Sequence, residues 1–159
     1  MKKTMRKSCS GQQVPRDGCR KVMVFGTFDL FHPGHMYFLK EARKRGDFLV
    51  VVVARDATVK RLKKKTPYDG ESERKRKVEE SCLADKVILG SLKDEYDAIR
   101  KERPDVICLG YDQRFFISGL GRALKSMGIG PEIARIGSHR PDKYKTSILK
   151  IKKKIKYPR

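Results

Sequence analysis

The sequence is short of the residues that most catalytic and metal sites use. Its 159 residues include no tryptophan, three histidines and four cysteines. The cysteines, Cys9, Cys19, Cys82 and Cys108, form no CxxC pair, which argues against a zinc site. Cys108, in DVICLG, reads as a small buried hydrophobe, and an intracellular setting disfavours a Cys9–Cys19 bridge. No run approaches the eighteen or so apolar residues of a membrane span. The amino terminus, MKKTMRKSCSGQQ, is basic but has no apolar segment, so it does not read as a secretory signal and a cytoplasmic location is expected. A GxGxxG fingerprint is missing from the first strand exit, which disfavours a dehydrogenase. A P-loop pattern is absent too, which disfavours that class of nucleotide hydrolase.

Acidic residues are the other scarcity. Nineteen Asp and Glu stand against 39 Lys and Arg, a formal net charge of +20. An excess of that size suits a polyanionic partner: nucleic acid, an anionic membrane surface, or phosphorylated small molecules. It is concentrated in KRLKKK (60–65) and in the last stretch, HRPDKYKTSILKIKKKIKYPR, where nine basic residues face one Asp. A nucleic-acid-binding role stays open, although the basic residues are not interleaved with aromatics and no nucleic-acid motif occurs. A solubilising or salt-adapted surface is the plainer alternative. A closing helix that lies on lipid is a third.

Along the chain, residues 1–20 lack periodicity and read as a flexible basic tail, with one domain over 21–159. KVMVFG (21–26) is a short buried strand by pattern, and PGHMYFLKEARKRG (33–46) fits a helix with Pro33 at its first position and Gly46 at its stop. DFLVVVVA (47–54) is apolar throughout, as in a strand covered on both faces. A basic loop is expected over 55–70, then a helix (71–84), a strand (85–90), a helix (92–103), a strand (104–110), a helix (118–128), a strand (131–137) and an amphipathic helix (146–155). The alternation predicts an α/β fold: a doubly wound parallel sheet of about five strands. Ligands of such sheets bind beyond the carboxyl ends of the strands, and polar and basic residues recur there.

The first exit is the most informative. GTFDLFHPGH (26–35) places two of the three histidines three residues apart at a helix start. His32 takes the N-cap and His35 the third position, so both rings flank free backbone N–H groups that attract anions. Gly26 allows a tight exit, Gly34 a close approach of ligand to backbone, and Thr27 adds a hydroxyl. The geometry predicted is a phosphate cradle with two imidazole donors and no protein nucleophile.

GTFDLFHPGH resembles the signature of the cytidylyltransferase-like HxGH nucleotidyltransferases, and the resemblance runs through ERKRKVEE, LGYDQ and the final motif. RPDKYKTS stands where glycerol-3-phosphate cytidylyltransferases carry RTEGISTT; Arg140, Thr146 and Ser147 keep the spacing. The resemblance implies a Rossmann-like fold, a Mg²⁺-assisted attack of an acceptor phosphate on the α-phosphorus of a nucleoside triphosphate, and a homodimer. It assigns His32 and His35 to the reacting phosphates, with Lys63, Lys65 and Arg140 binding phosphate. Gly26, Thr27, Phe28, Asp29, Gly34, Arg74, Gly110, Asp112, Gln113, Thr146 and Ser147 would bind nucleotide. No fixed protein metal site is implied, with Asp29 either ordering its turn or assisting the ion. VVVARDATVK, ADKVILGS and PDVICLGYDQ look like archaeal-type FAD synthases, which join FMN and ATP. The spacing of RPDKYKTS keeps a CTP-dependent glycerol 3-phosphate enzyme as the alternative, although HPGH lacks the tryptophan common in those.

Overall fold

Five of the six residues in KVMVFG are apolar or glycine, and four of them are buried; this strand, β1 (Lys21–Gly26), is the middle of the sheet. In a computed structural model that describes residues 15–114, 117–144 and 148–150, the sheet has the order β3-β2-β1-β4-β5 and every pairing is parallel. The other strands are β2 (Phe48–Val53), β3 (Lys86–Leu89), β4 (Val106–Gly110) and β5 (Glu132–Ile136). The helices are α1 (Pro33–Arg43), α2 (Asp56–Lys63), α3 (Glu71–Glu80), α4 (Asp97–Glu102), α5 (Ile117–Met127) and the short α6 (Pro141–Tyr144).

Alternate residues of a strand face opposite sides. Val22 and Val24 of β1 join Leu39 and Ala42 of α1 and Val78 of α3 in one core. Met23 and Phe25 join Ile99 of α4 and Leu120 and Leu124 of α5 in the other. All six residues of β2 are buried, the pattern of a strand covered on both faces. Asp85, just before β3, is buried but paired: it accepts from the Leu49 amide at 2.7 Å and from Arg43.

The chain winds outward from β1 to β3, then returns to the other side of β1 for β4 and β5. That reversal opens a crevice at the carboxyl ends of β1 and β4, where ligands of open α/β sheets bind. Three expectations are revised. The stretch 55–70 is not all loop: it holds α2, whose single buried residue is Val59. The helix expected over 92–103 begins only at Asp97, and the unexpected α6 precedes the final helix. Residues 16–20, grouped with the tail, are tied down: Arg20 donates to the Arg45 carbonyl at 3.0 Å and to Glu132 at 2.6 Å. Residues 1–14, most of the helix over 146–155, and Thr146 and Ser147 lie outside the described residues.

Candidate active site

A cavity of about 300 Å³ opens at this crevice. Its walls bring together His32, His35, Gly26, Thr27, Phe28, Asp29 and Gly34 from the β1 exit, Lys63 and Lys65 from the end of α2, and Gly110, Asp112 and Gln113 from the β4 exit. Twelve expected residues from three separate segments thus share one cavity.

The β1 exit is a constrained turn. Phe28 and Leu30 both adopt positive φ, 54° and 49°, a conformation that costs L-residues of order 1–3 kcal/mol. A Cβ on Gly26 would come within 2.7 Å of the Phe28 ring, so the ring folds over the strand end only above glycine. Asp29 between them is buried. Its carboxylate accepts from the Tyr68 and Asp69 amides, each at 3.0 Å, and pairs with Lys150 at 2.6 Å. Burial works against its ionisation, but Lys150 and those two amides outweigh it and hold the carboxyl below its ordinary pKa. Asp29 therefore ties the turn to residues 68–69.

Arg74 braces the same turn from behind. It is fully buried and donates to the carbonyls of Thr27 (2.6 Å), Ala54 (2.8 Å) and Asp69 (3.0 Å) and to Asp56 (2.6 Å). Expected against nucleotide, it is instead spent on the scaffold and does not line the cavity. Thr27, whose carbonyl it holds, turns its hydroxyl to the cavity and accepts from Lys63 at 2.9 Å. Partial desolvation lowers the Lys63 pKa, with Arg74 and Lys150 adding to the effect and Asp112 opposing it.

His32 caps α1 as its sequence position predicts: its Nδ1 accepts from the Gly34 amide at 3.1 Å. Its ring lies 3.7 Å from that of His35, with 24° between the planes. Phe31 stacks on His35 and Phe28 meets it edge-on. Burial pushes His32 down to about 4. His35 is pushed to about 3, first by burial and then by His32. Both rings are neutral near pH 7. Because Nδ1 of His32 is an acceptor, its proton sits on Nε2. Nδ1 of His35 is buried without a hydrogen-bond partner, which also favours its proton on Nε2, since an orphaned N–H is the rarer fault in buried groups. Two neutral rings that keep a donor each are suited to an anion that gains charge.

On the β4 side, the Gln113 side chain bridges two strands. It accepts from the Gly110 amide at 2.8 Å and donates to the Phe25 carbonyl. Arg140 is exposed, at φ 44°, and does not line the cavity; its neighbours Ser138 and His139 do. Lys150, Phe38 and Tyr111 also line it, and sequence reasoning missed them. Lys150 carried one usable signal: in the helix expected over 146–155 it falls three and four residues beyond Ser147 and Thr146, the spacing of one helix face. Among the described residues no three His, Cys, Asp or Glu side chains cluster to hold a metal ion, and no helix is long and apolar enough to cross a membrane.

Known proteins resemble this chain in sequence and fold. The family model described as cytidylyltransferase-like matches residues 23–154. A protein named FAD synthase from Ferroglobus placidus is 48% identical over 117 residues, covering 74% of this chain and 76% of its own. Another so named, from Methanothermobacter thermautotrophicus, is 43% identical over 140 residues, covering 86% and 91%. The crystal structure of a lipopolysaccharide core biosynthesis protein from Thermoplasma volcanium superposes with a TM-score of 0.71 at 41% identity, covering 77% of this chain and 99% of that one. The sheet order, the paired histidines at the β1 exit and the match over nearly the whole chain agree: this chain is a nucleotidyltransferase and belongs to the cytidylyltransferase-like family.

Proposed function

We propose that the chain is an FMN adenylyltransferase, joining ATP and FMN to give FAD and pyrophosphate. The observation that carries the chemistry is the stacked, neutral His32–His35 pair beside Lys63 and Thr27 in one cavity. The choice of substrates is supported by the name that relatives at 40–48% identity bear, FAD synthase.

In this reading an FMN phosphate oxygen forms a bond to the α-phosphorus of ATP. The bond from that phosphorus to the bridging oxygen breaks, and pyrophosphate leaves with the electron pair. No protein nucleophile takes part, so the chain contributes position and charge compensation. The His32 and His35 Nε2–H groups donate to the α-phosphate and the bridging oxygen, and their hydrogen bonds strengthen as charge grows there. Neutral rings lose less hydration in the buried site than imidazolium rings would. Thr27 and Lys63 act together: the hydroxyl that now accepts from the ammonium turns to phosphate when substrate enters. Lys65 and Lys150 add positive charge to the wall, and the phosphate and nucleotide roles of Arg140, Thr146 and Ser147 rest on the family resemblance alone. Gly110, Asp112 and Gln113 shape the nucleotide side.

A divalent cation such as Mg²⁺, bound with the triphosphate, would supply charge neutralisation at the phosphates. Among the described residues no carboxylate cluster is placed to cage it, and the Asp29 carboxylate is engaged by two amides and Lys150.

The test is a panel of ATP and CTP against FMN and glycerol 3-phosphate, with pyrophosphate release and flavin product measured together. Pyrophosphate should appear with ATP plus FMN, one equivalent for each FAD. Cytidylyl transfer to glycerol 3-phosphate, with no FAD formed, would overturn the assignment.

A further inference from the structure

Tyr37 lies on α1, two residues beyond His35, and stacks on His139, which follows β5. The ring centroids are 4.8 Å apart and the planes differ by 22°. His139 lines the cavity; Tyr37 does not, and packs instead against the sheet core. An exposed imidazole on a loop is thereby pinned on one face by a half-buried phenol.

The placement sets His139 apart from the catalytic rings. His32 and His35 sit at the exit of β1, on the side of the crevice where Lys63 and Thr27 gather positive charge and donors. His139 sits at the exit of β5, beside the β4 exit that carries Tyr111; Gly110 and Ile136 are register partners in that pair of strands. Two aromatic rings with exposed surface therefore stand at neighbouring strand ends and line the same cavity. Phe25 and Phe28 also line the cavity, but they are almost completely buried.

We propose that His139, backed by Tyr37, is a stacking shelf for a planar heteroaromatic ring of the substrate, the adenine of ATP or the isoalloxazine of FMN. The inference rests on the reading above for the identity of those ligands. Its physical content is preorganisation. A free loop side chain loses rotamer freedom when a ligand stacks on it, whereas the Tyr37 contact has already removed that freedom. Aromatic stacking tolerates different heterocycles because each has a π face.

The test measures binding without turnover. Kd is determined for FMN, ATP, inorganic phosphate and tripolyphosphate, on wild type, His139→Ala, His139→Phe, Tyr37→Leu and Tyr37→Phe. In wild type one ring-bearing ligand should bind at least tenfold tighter than its inorganic counterpart. His139→Ala should remove about tenfold from that ligand and leave tripolyphosphate and phosphate within twofold. His139→Phe should restore it. Tyr37→Leu should lose about threefold for the same ligand, and Tyr37→Phe should not. A loss confined to FMN identifies the isoalloxazine; one confined to ATP identifies the adenine. Equal losses for all four ligands mark a structural role and overturn the proposal, as do unchanged affinities or a wild type that binds rings no better than bare phosphates. Failure to make FAD does not touch these readouts, so the two readings fail separately.

Discussion

Arg74→Met is the sharpest test of how the site is built. The guanidinium is fully buried and serves three carbonyls, of Thr27, Ala54 and Asp69, as well as Asp56. Asp56 is 44% exposed and can return to water, so most of the cost falls on the carbonyls. Each buried acceptor left unpaired costs about 1–3 kcal/mol. Water entering the space offsets part of this, and methionine regains some packing, which leaves a loss of roughly 3–5 kcal/mol, the range for breaking a buried charged pair. A domain of this size has about 5–15 kcal/mol in total. With a urea slope of about 2 kcal/mol per molar, the unfolding midpoint should fall by about 2 M at unchanged slope. Far-UV circular dichroism follows the transition. Arg74→Lys should recover less than half, because one ammonium cannot span acceptors on three segments. A midpoint within about 0.5 M of wild type for Arg74→Met, or full recovery by lysine, would refute the bracing role.

Stability should also report the two shifted histidines. An unfolded chain takes up a proton on each as pH falls through about 6.5, while folded His32 and His35 hold out to about 4 and about 3. Stability is then unaffected by these rings above pH 6.5 and drops below it, by up to about 1.4 kcal/mol per pH unit for each ring. His35→Asn should flatten the urea-measured profile between pH 6.5 and 4.5; parallel profiles would contradict the burial argument. For activity, His35→Ala should lower kcat by roughly 10²–10³, the loss seen when a transition-state donor is removed, with the circular dichroism spectrum unchanged. Near-normal turnover would remove His35 from the reaction.

The sheet was legible because its signals are strong and local. FLVVVV has no polar residue to place at a surface, and Pro33 after His32 marks a helix start that the structure keeps. α2 was not legible: DATVKRLK buries only Val59, so no apolar stripe reveals it among the lysines. Arg74 was singled out, but against nucleotide, and its bracing role was hidden for another reason. A buried arginine is stabilised by acceptors that converge from positions 27, 54 and 69, and nothing in ERKRK announces them. Within GTFDLFHPGH the residue types carried the site, since the N-cap and the paired rings depend on spacing alone. The role of Asp29 in tying the turn to 68–69 depends on a segment 39 residues away, beyond the reach of any local pattern.

That tie means the reactive loop has no shape of its own. Phe28 and Leu30 stay in their strained conformation only while Tyr68, Asp69, Arg74 and Lys150 hold the carbonyls and carboxylate around them. A nascent or truncated chain ending before Lys150 would own every histidine of the signature and still lack a rigid place to put a phosphate.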